Sequence, residues 1–392
     1  MRTAFAAISL VALVVAAGSD ARPALLGPGL LFSNGGTDVR RAPIRATGLY
    51  RLTPGGSVRA VLDDNVSPAS IAATGETIGY AADPNDGRLY LVEGNRRVVL
   101  PHTEGMGWCP AISADGSSVA YVTGSGRYVQ PSRHLLYTRI EGTLWVAATG
   151  SLEQARAVAV GAFAASECPQ WSPAGNRLAY FVDRGVAGWE LNVYRDGTVR
   201  AVETEETPVP SAHDRSFAWS RDGRLAFLRG RELYVGARRI GRRLLDRLAP
   251  RVTTVHNHAI AVSPSGRLVA ASLGDRTGIF RIDGAVVRVT AGHLREWSGN
   301  RAVLTNPVDR LTPTLAWVPL RGSIRVLARH FKTPVVGDPG GAWFAYKATG
   351  TRQLVFRRAD GSLLRTARLR FIPRVLEAVG ADDRVREPPG SY

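Results

Sequence analysis

CPQWSPAGNRLAYFV, Cys168–Val182, and SFAWSRDGRLAFLRG, Ser216–Gly230, are built on one plan. Each runs apolar residue, Ser, two variable positions, Gly, then a short apolar stretch. CPAISADGSSVAYVT from Cys109 and AIAVSPSGRLVAASL from Ala259 repeat the plan, with turn glycines at Gly116, Gly175, Gly223 and Gly266. A glycine after Asp, Ala or Ser supplies the positive φ that reverses a chain without a Cβ clash. The expectation is therefore a hairpin between two strands at each copy.

Weaker copies extend the series on both sides. They are GPGLLFSN from Gly27, SPASIAATGETIGYAA from Ser67, REWSGNRAVLTN from Arg295 and PVVGDPGGAWFAYKA from Pro334. The apolar strand after each glycine begins near Leu30, Ile78, Val119, Leu178, Leu225, Leu268, Ala302 and Phe344, at spacings of 34 to 59 residues that average about 45. A second strand recurs downstream, as in LYLVEGNR from Leu89, LNVYRDGT from Leu191 and LVFRRADGS from Leu354, and a last one follows it. Four short strands at this period are the pattern of a β-propeller blade. A lone four-stranded sheet cannot bury both faces, whereas sheets stacked around an axis can. The expected fold is all-β, a propeller of four-stranded blades. Eight units are countable, so eight blades is the first choice and seven the second. The first unit lacks an innermost strand, which RVLEAVGADDRV from Arg374 can supply by closing the ring. Closure of that kind hides sheet edges. The propeller is expected over residues 27–385, with 386–392 (EPPGSY and the arginine before it) as a disordered tail.

The segments PQWSPAGNRLAY and FAWSRDGRLAF resemble the WD-like repeat of the TolB-type propellers, written P-x-W-S-P-D-G-x-x-I-A-F. The likeness is strong in the units at Cys168 and Ser216, fair at Cys109 and Ala259, and degenerate elsewhere. TolB proteins carry a separate α/β domain before the propeller. Barely ten residues separate the N-terminal apolar segment from the first strand here, so the expectation is the propeller without that domain. The resemblance implies the fold far more than a role in envelope integrity.

That N-terminal segment, MRTAFAAISLVALVVAAGSDARPA, has Arg2 as a minimal positive start, a 14-residue apolar stretch without a charge from Ala4 to Ala17, and small residues around its end. This is the layout of a secretory signal peptide, expected to span 1–21 with cleavage near Ala17 or Ala21. It is too short for a comfortable membrane span of about 20 residues. The mature chain is accordingly expected to be secreted, periplasmic or in the cell envelope, without a transmembrane segment and monomeric.

Across the 392 residues, 45% hydrophobic and 21% charged side chains exclude wholesale disorder and a polytopic membrane protein. Fifty basic against 33 acidic residues leave +17, and only Lys332 and Lys347 are lysines. Such a balance fits an anionic partner. It fits equally an arginine-rich coding bias. The densest basic run, Gly236–Arg251, has no interleaved aromatics to stack on bases, and export argues against nucleic acid.

The only cysteines, Cys109 and Cys168, occupy the same repeat position in consecutive units, each before a proline. In an exported chain that pair reads as a disulfide across neighbouring blades. The alternative is two small buried residues too far apart to bridge.

No Gly-x-Ser-x-Gly elbow, P-loop, Cys-x-x-Cys or His-Glu-x-x-His occurs, so the propeller peptidases, which need a hydrolase domain, are set aside. His213, His256, His258 and His293 precede the innermost strand of three consecutive units, with Asp214, Arg215 and Arg295 beside them. Glu167 and Trp108 take matching positions in two other units. Propeller geometry would gather these at one mouth of the channel as a ligand site. His256, His258 and His213 are the candidate ligands of a divalent metal, since imidazole is the commonest protein metal ligand. The placement is similar to that in propeller lyases with a histidine-held metal. The plainer alternative is polar loop histidines bonded to neighbouring turns, with no cofactor. Trp171 and Trp219, each one residue before the repeat serine, are expected in the core between blades. Function then reads as a scaffold binding an envelope or extracellular protein, or an anionic wall polymer, more readily than as an enzyme. The runner-up is a channel-mouth metal-dependent lyase or hydrolase acting on an extracellular carbohydrate. A sensor ectodomain is the third reading.

Overall fold

The structure is a computed structural model. It describes residues 29–33, 49–52, 58–62, 71–74, 77–81, 87–93, 96–104, 106–132, 135–164, 167–184, 189–207, 217–229, 232–240, 258–273, 275–306, 314–338, 340–348, 352–369 and 374–379. The segment expected to be a signal peptide and the tail from 386 fall outside these.

The described residues form thirty-two strands, β1 to β32 in chain order, and no helix. Six sheets have four strands each, and a seventh joins two runs of four. The strands therefore divide into eight four-stranded units, and the fold is a β-propeller. Unit 1 holds β1 (Gly29–Ser33), β2 (Leu49–Leu52) and β3 (Val58–Leu62), completed by β32 (Arg374–Val379). Antiparallel pairing from Gly29↔Val379 to Ser33↔Arg374 closes this unit with strands from both ends of the chain. Units 2 to 8 open on β4 (Ile71–Thr74), β8 (Gly107–Ile112), β12 (Gln170–Trp171), β16 (Phe217–Trp219), β20 (His258–Val262), β24 (His293–Ser298) and β28 (Phe331–Gly337). These innermost strands touch in succession, β32 to β4, β4 to β8, β8 to β12, then β16 through β28 and back to β32. Units 4 and 5 join through a core that includes Phe181, Leu191, Phe217 and Phe227.

The period of two in a strand builds the whole core. In β17 (Leu225–Arg229), Leu225 and Phe227 pack toward unit 4. Ala226 and Leu228, between them, pack toward unit 6. In β21 (Leu268–Leu273), Val269, Ala271 and Leu273 face unit 5. Ala270 faces unit 7. Successive side chains point to opposite faces, so one near-continuous apolar strand serves two interfaces.

The repeat serines of units 3 to 6 are buried, and each caps its own turn. Ser118, Arg177, Arg224 and Leu268 donate their backbone N–H to Ser113, Ser172, Ser220 and Ser263 Oγ at 2.9, 3.2, 2.8 and 3.2 Å. Asp338 replaces the serine in unit 8 and accepts from Ala342 N–H at 2.8 Å. The turn glycines have φ of +70 to +75° in these four units, the left-handed region that a Cβ disfavours.

Tryptophan staples adjacent units. Trp171, Trp219 and Trp297 donate their indole N–H to the carbonyls of Ala111, Gln170 and Ala261 at 3.1, 2.9 and 3.0 Å. Each acceptor stands two residues before the serine of the preceding unit. The sequence singles out Trp171 and Trp219; the third staple sits in a degenerate copy, REWSGNR.

Unit 3 departs from the expected short strands. Its β9 (Ser118–Ser132), β10 (Leu135–Ala148) and β11 (Ser151–Ala164) have 15, 14 and 14 residues. The 59 residues between Val119 and Leu178, the widest spacing of the series, are the trace of this elongation in the sequence.

Candidate binding face

Strand alternation gives the ring two unlike faces. On the turn face lie the connections between first and second and between third and fourth strands. On the loop face lie the second-to-third connections and the links from one unit to the next. The extra length of β9, β10 and β11 all projects from the loop face, because β9 runs on beyond the N-terminal end of β8.

The departure point is built from glycine. Gly124 stands opposite Gly142, and a Cβ on either would collide with the facing backbone. Gly124 has φ +145°, in the region that favours glycine. Trp108, half-buried, donates its indole N–H to Gly124 O at 3.0 Å, and its ring occupies the space a side chain at Gly126 would need. A bulge between Trp108 and Ala111, with Cys109 at φ +53°, turns β8 at this point. Bulges re-aim side chains at strand ends.

Cys109 is bonded to Cys168, with Cα atoms 5.0 Å apart. The bridge ties units 3 and 4 at the loop face and brings Trp108 and Glu167, each one residue before a cysteine, into one neighbourhood. Glu167 is buried, and its backbone N–H donates to Ala164 O at 3.1 Å. Farther out, Arg139 of β10 pairs with Asp183, at the end of β13 (Leu178–Asp183), at 2.5 Å. Arg139 also lies 3.6 Å from Glu141, which pairs with Arg127 across the hairpin at 3.1 Å. The elongated sheet is thereby fastened to unit 4 as well as to its own unit.

Beside it, Glu190 accepts from Arg184 and from Asn192 Nδ2, both at 2.8 Å. The Arg184 bond, with help from Asn192, outweighs burial and holds this carboxyl below its ordinary range. Burial, with the Glu190 charge adding to it, pushes the Tyr180 phenol well above its ordinary range, so it stays protonated at any physiological pH.

The remaining candidate residues are distributed differently. His213, Asp214, Arg215 and His256 lie outside the described residues. The backbone of His258 opens β20 opposite Leu273, and its side chain is not among those described. His293 opens β24 opposite Asn306 and is buried, with Nδ1 3.3 Å from Ser272 Oγ. That contact makes it part of the joint between units 6 and 7. Arg295, half-buried, sits at a bulge between Leu294 and Glu296. Trp108 and Glu167 thus adjoin the two ends of one disulfide, whereas His293 and Arg295 lie on β24 of unit 7. Among the described residues, no three His, Cys, Asp or Glu side chains form a group able to hold a metal ion.

No protein-family model matches the chain, and no curated protein matches it. Solved structures do. The crystal structure of a eukaryotic initiation factor aligns at TM-score 0.50 and 11% identity, over 88% of this chain and 96% of that one. TolB from Acinetobacter baumannii aligns at 0.40 and 14%, over 90% of this chain and 65% of its own length. The C-terminal WD40 domain of Sif2 aligns at 0.47 and 13%, over 76% of this chain and 82% of that one. At such identities the likeness is one of fold alone.

Proposed function

We propose that the chain is an exported, TolB-like propeller that works as a protein-binding scaffold, with its partner seated on the loop face around unit 3. The observation that carries this reading is the elongated β9–β10–β11 sheet. Fourteen- and fifteen-residue strands project from a ring whose other strands have two to ten. Binding residues favour loops and projections held by a rigid frame. The frame here is doubly secured, by the Cys109–Cys168 bond and by the Arg139–Asp183 pair. An element fixed in this way presents its surface with little ordering cost on binding. Export rests on the N-terminal signal-like segment and agrees with the use of both cysteines in a bridge.

Cross-linking in intact cells, followed by capture of the full chain from the envelope fraction, tests the reading. The comparison is a variant in which residues 126–139 are replaced by a two-residue turn. Wild type should retain one specific partner and the trimmed variant should lose it, with unchanged circular dichroism. Equal capture by both would overturn the placement on unit 3. N-terminal sequencing of the mature chain should find cleavage near Ala17 or Ala21; a chain retained whole in the cytoplasm would refute export.

A further inference from the structure

The +17 charge is left unused by a protein partner on the loop face, and much of it gathers on the other side of the ring. We infer that the turn face of units 4 to 7 is a separate binding site for a linear polyanion. The turns of these four consecutive units carry Arg177, Arg221, Arg224, Arg267, Arg301 and Arg321. All but Arg177 are exposed, and Arg177 is half-buried with its guanidinium 5.3 Å from the Trp219 ring. The described acids of the same turns are Asp196, Asp222 and Asp283. Each is matched by an arginine of its own turn, Arg195, Arg224 and Arg281, at 3.2, 2.6 and 3.2 Å. Over these turns arginines outnumber the described acids by eight to three. Arg221, Arg301 and Arg321 make no ion pair among the described residues.

The arginines lie on one continuous arc, because the turns touch. A Cβ at Gly223 would meet the Arg177 guanidinium, and one at Gly266 would stand 3.3 Å from the Arg221 backbone. Ser265 N–H donates to Asn300 Oδ1 at 2.7 Å, joining the turns of units 6 and 7. Crowding like charges on packed turns is costly to the fold. The turn bond itself does not require arginine: Ser118, Leu268 and Ala342 in units 3, 6 and 8 stand where Arg177 and Arg224 do and make the same backbone bond. Charge collected where the fold does not need it, on a rigid curved track, suits a chain of regularly spaced anions. Guanidinium groups take phosphate or carboxylate through paired N–H donors.

The test uses the full mature chain and two probes, long-chain polyphosphate and poly-L-glutamate, titrated at several salt concentrations. The arc variant replaces Arg221, Arg267, Arg301 and Arg321 by Gln. A control of equal charge replaces Arg156, Arg200, Arg365 and Arg368, on outer strands, by Gln. The arc variant should bind at least one polymer roughly tenfold more weakly or worse, with the slope of log affinity against log salt reduced by about three. The control should change by less than about twofold. Which polymer binds assigns the anion as phosphate or carboxylate. Equal losses in both variants, or no saturable binding of either polymer, would overturn the inference. As a measurement without substitutions, arginine-selective labelling of wild type should show the arc shielded by the polymer; uniform labelling would count against it. The arc variant should still capture the loop-face partner, so failure of either site is seen separately.

Discussion

The two faces of the ring are made from the same chain by opposite rules. Counted as sequence between described strands, the turn-face spacings are two to six residues, whereas the loop-face spacings run from one residue, Gly292, to 17. The turn face repeats two devices: in units 3 to 6 and 8 a buried serine or aspartate takes a backbone N–H inside its own turn, and in units 4, 5 and 7 a tryptophan staples the unit to its neighbour. Among the described residues of the loop face, a disulfide and an elongated sheet occur once each. Repetition marks what every unit needs in order to fold. Variation marks where a connection is free to acquire a task. The arginine arc is the exception on the turn face, a variable charge laid over an invariant turn, and that is why it calls for a ligand.

This contrast can be broken by measurement. The largest effect expected is from the loop-face bond: replacing Cys109 and Cys168 by Ser should lower stability by about 4 kcal/mol, from the 59-residue separation and loop-closure entropy. Denaturant midpoints with and without reductant would show it, and two free thiols in the unreduced, denatured chain would mean the bond does not form. Next comes a staple. Trp297→Ala removes a 3%-exposed ring and should cost about 3 kcal/mol. Trp297→Phe should cost about 1 kcal/mol, mainly through the lost bond to Ala261 O. If Trp297→Phe melts like wild type, the indole N–H is not what joins units 6 and 7.

Ser220→Ala should cost about 1–2 kcal/mol, because the Arg224 N–H loses its acceptor and Asp222 loses a donor. A thermal melt near neutrality reads this directly. Smallest is a pH effect at the loop face. Glu190 is held below its ordinary value, so its bond with Arg184 stabilises the fold above about pH 4.5 and is lost as pH falls through the folded value. The pair is partly exposed, so a few tenths of a kcal/mol is the expected loss. Wild type and Glu190→Gln should diverge above pH 4.5 and converge in acid; parallel curves would sink the assignment.

The ring was legible because its chemistry is local. Ser-x-x-Gly turns and apolar strands are set by neighbours in sequence, and their period marks the units even where the motif decays, as in REWSGNR. The closing strand was legible for a different reason: one unit was a strand short and Arg374–Val379 was left over. The candidate site was legible only in part. Glu167 and Trp108 flank the joined cysteines, which sequence position alone marks. His293, read from sequence as one of a set, is packed against Ser272 instead, since its place at the start of β24 faces a neighbouring unit. The elongated sheet left only a wide spacing in the sequence, because strand length beyond the ring depends on pairing partners far along the chain.

By itself the sequence determined the all-β class, the repeat and its period, the turn chemistry, the cysteine pair and the size of the positive charge. These rest on contacts a few residues long or on composition. Only the tertiary structure decided which face each feature occupies. Strand direction sends the surplus length of unit 3 to one side, and the packing of successive turns sets Arg221, Arg267 and Arg301 in line on the other. Both outcomes depend on the packing of unit on unit, and residues more than 30 positions apart become neighbours only then.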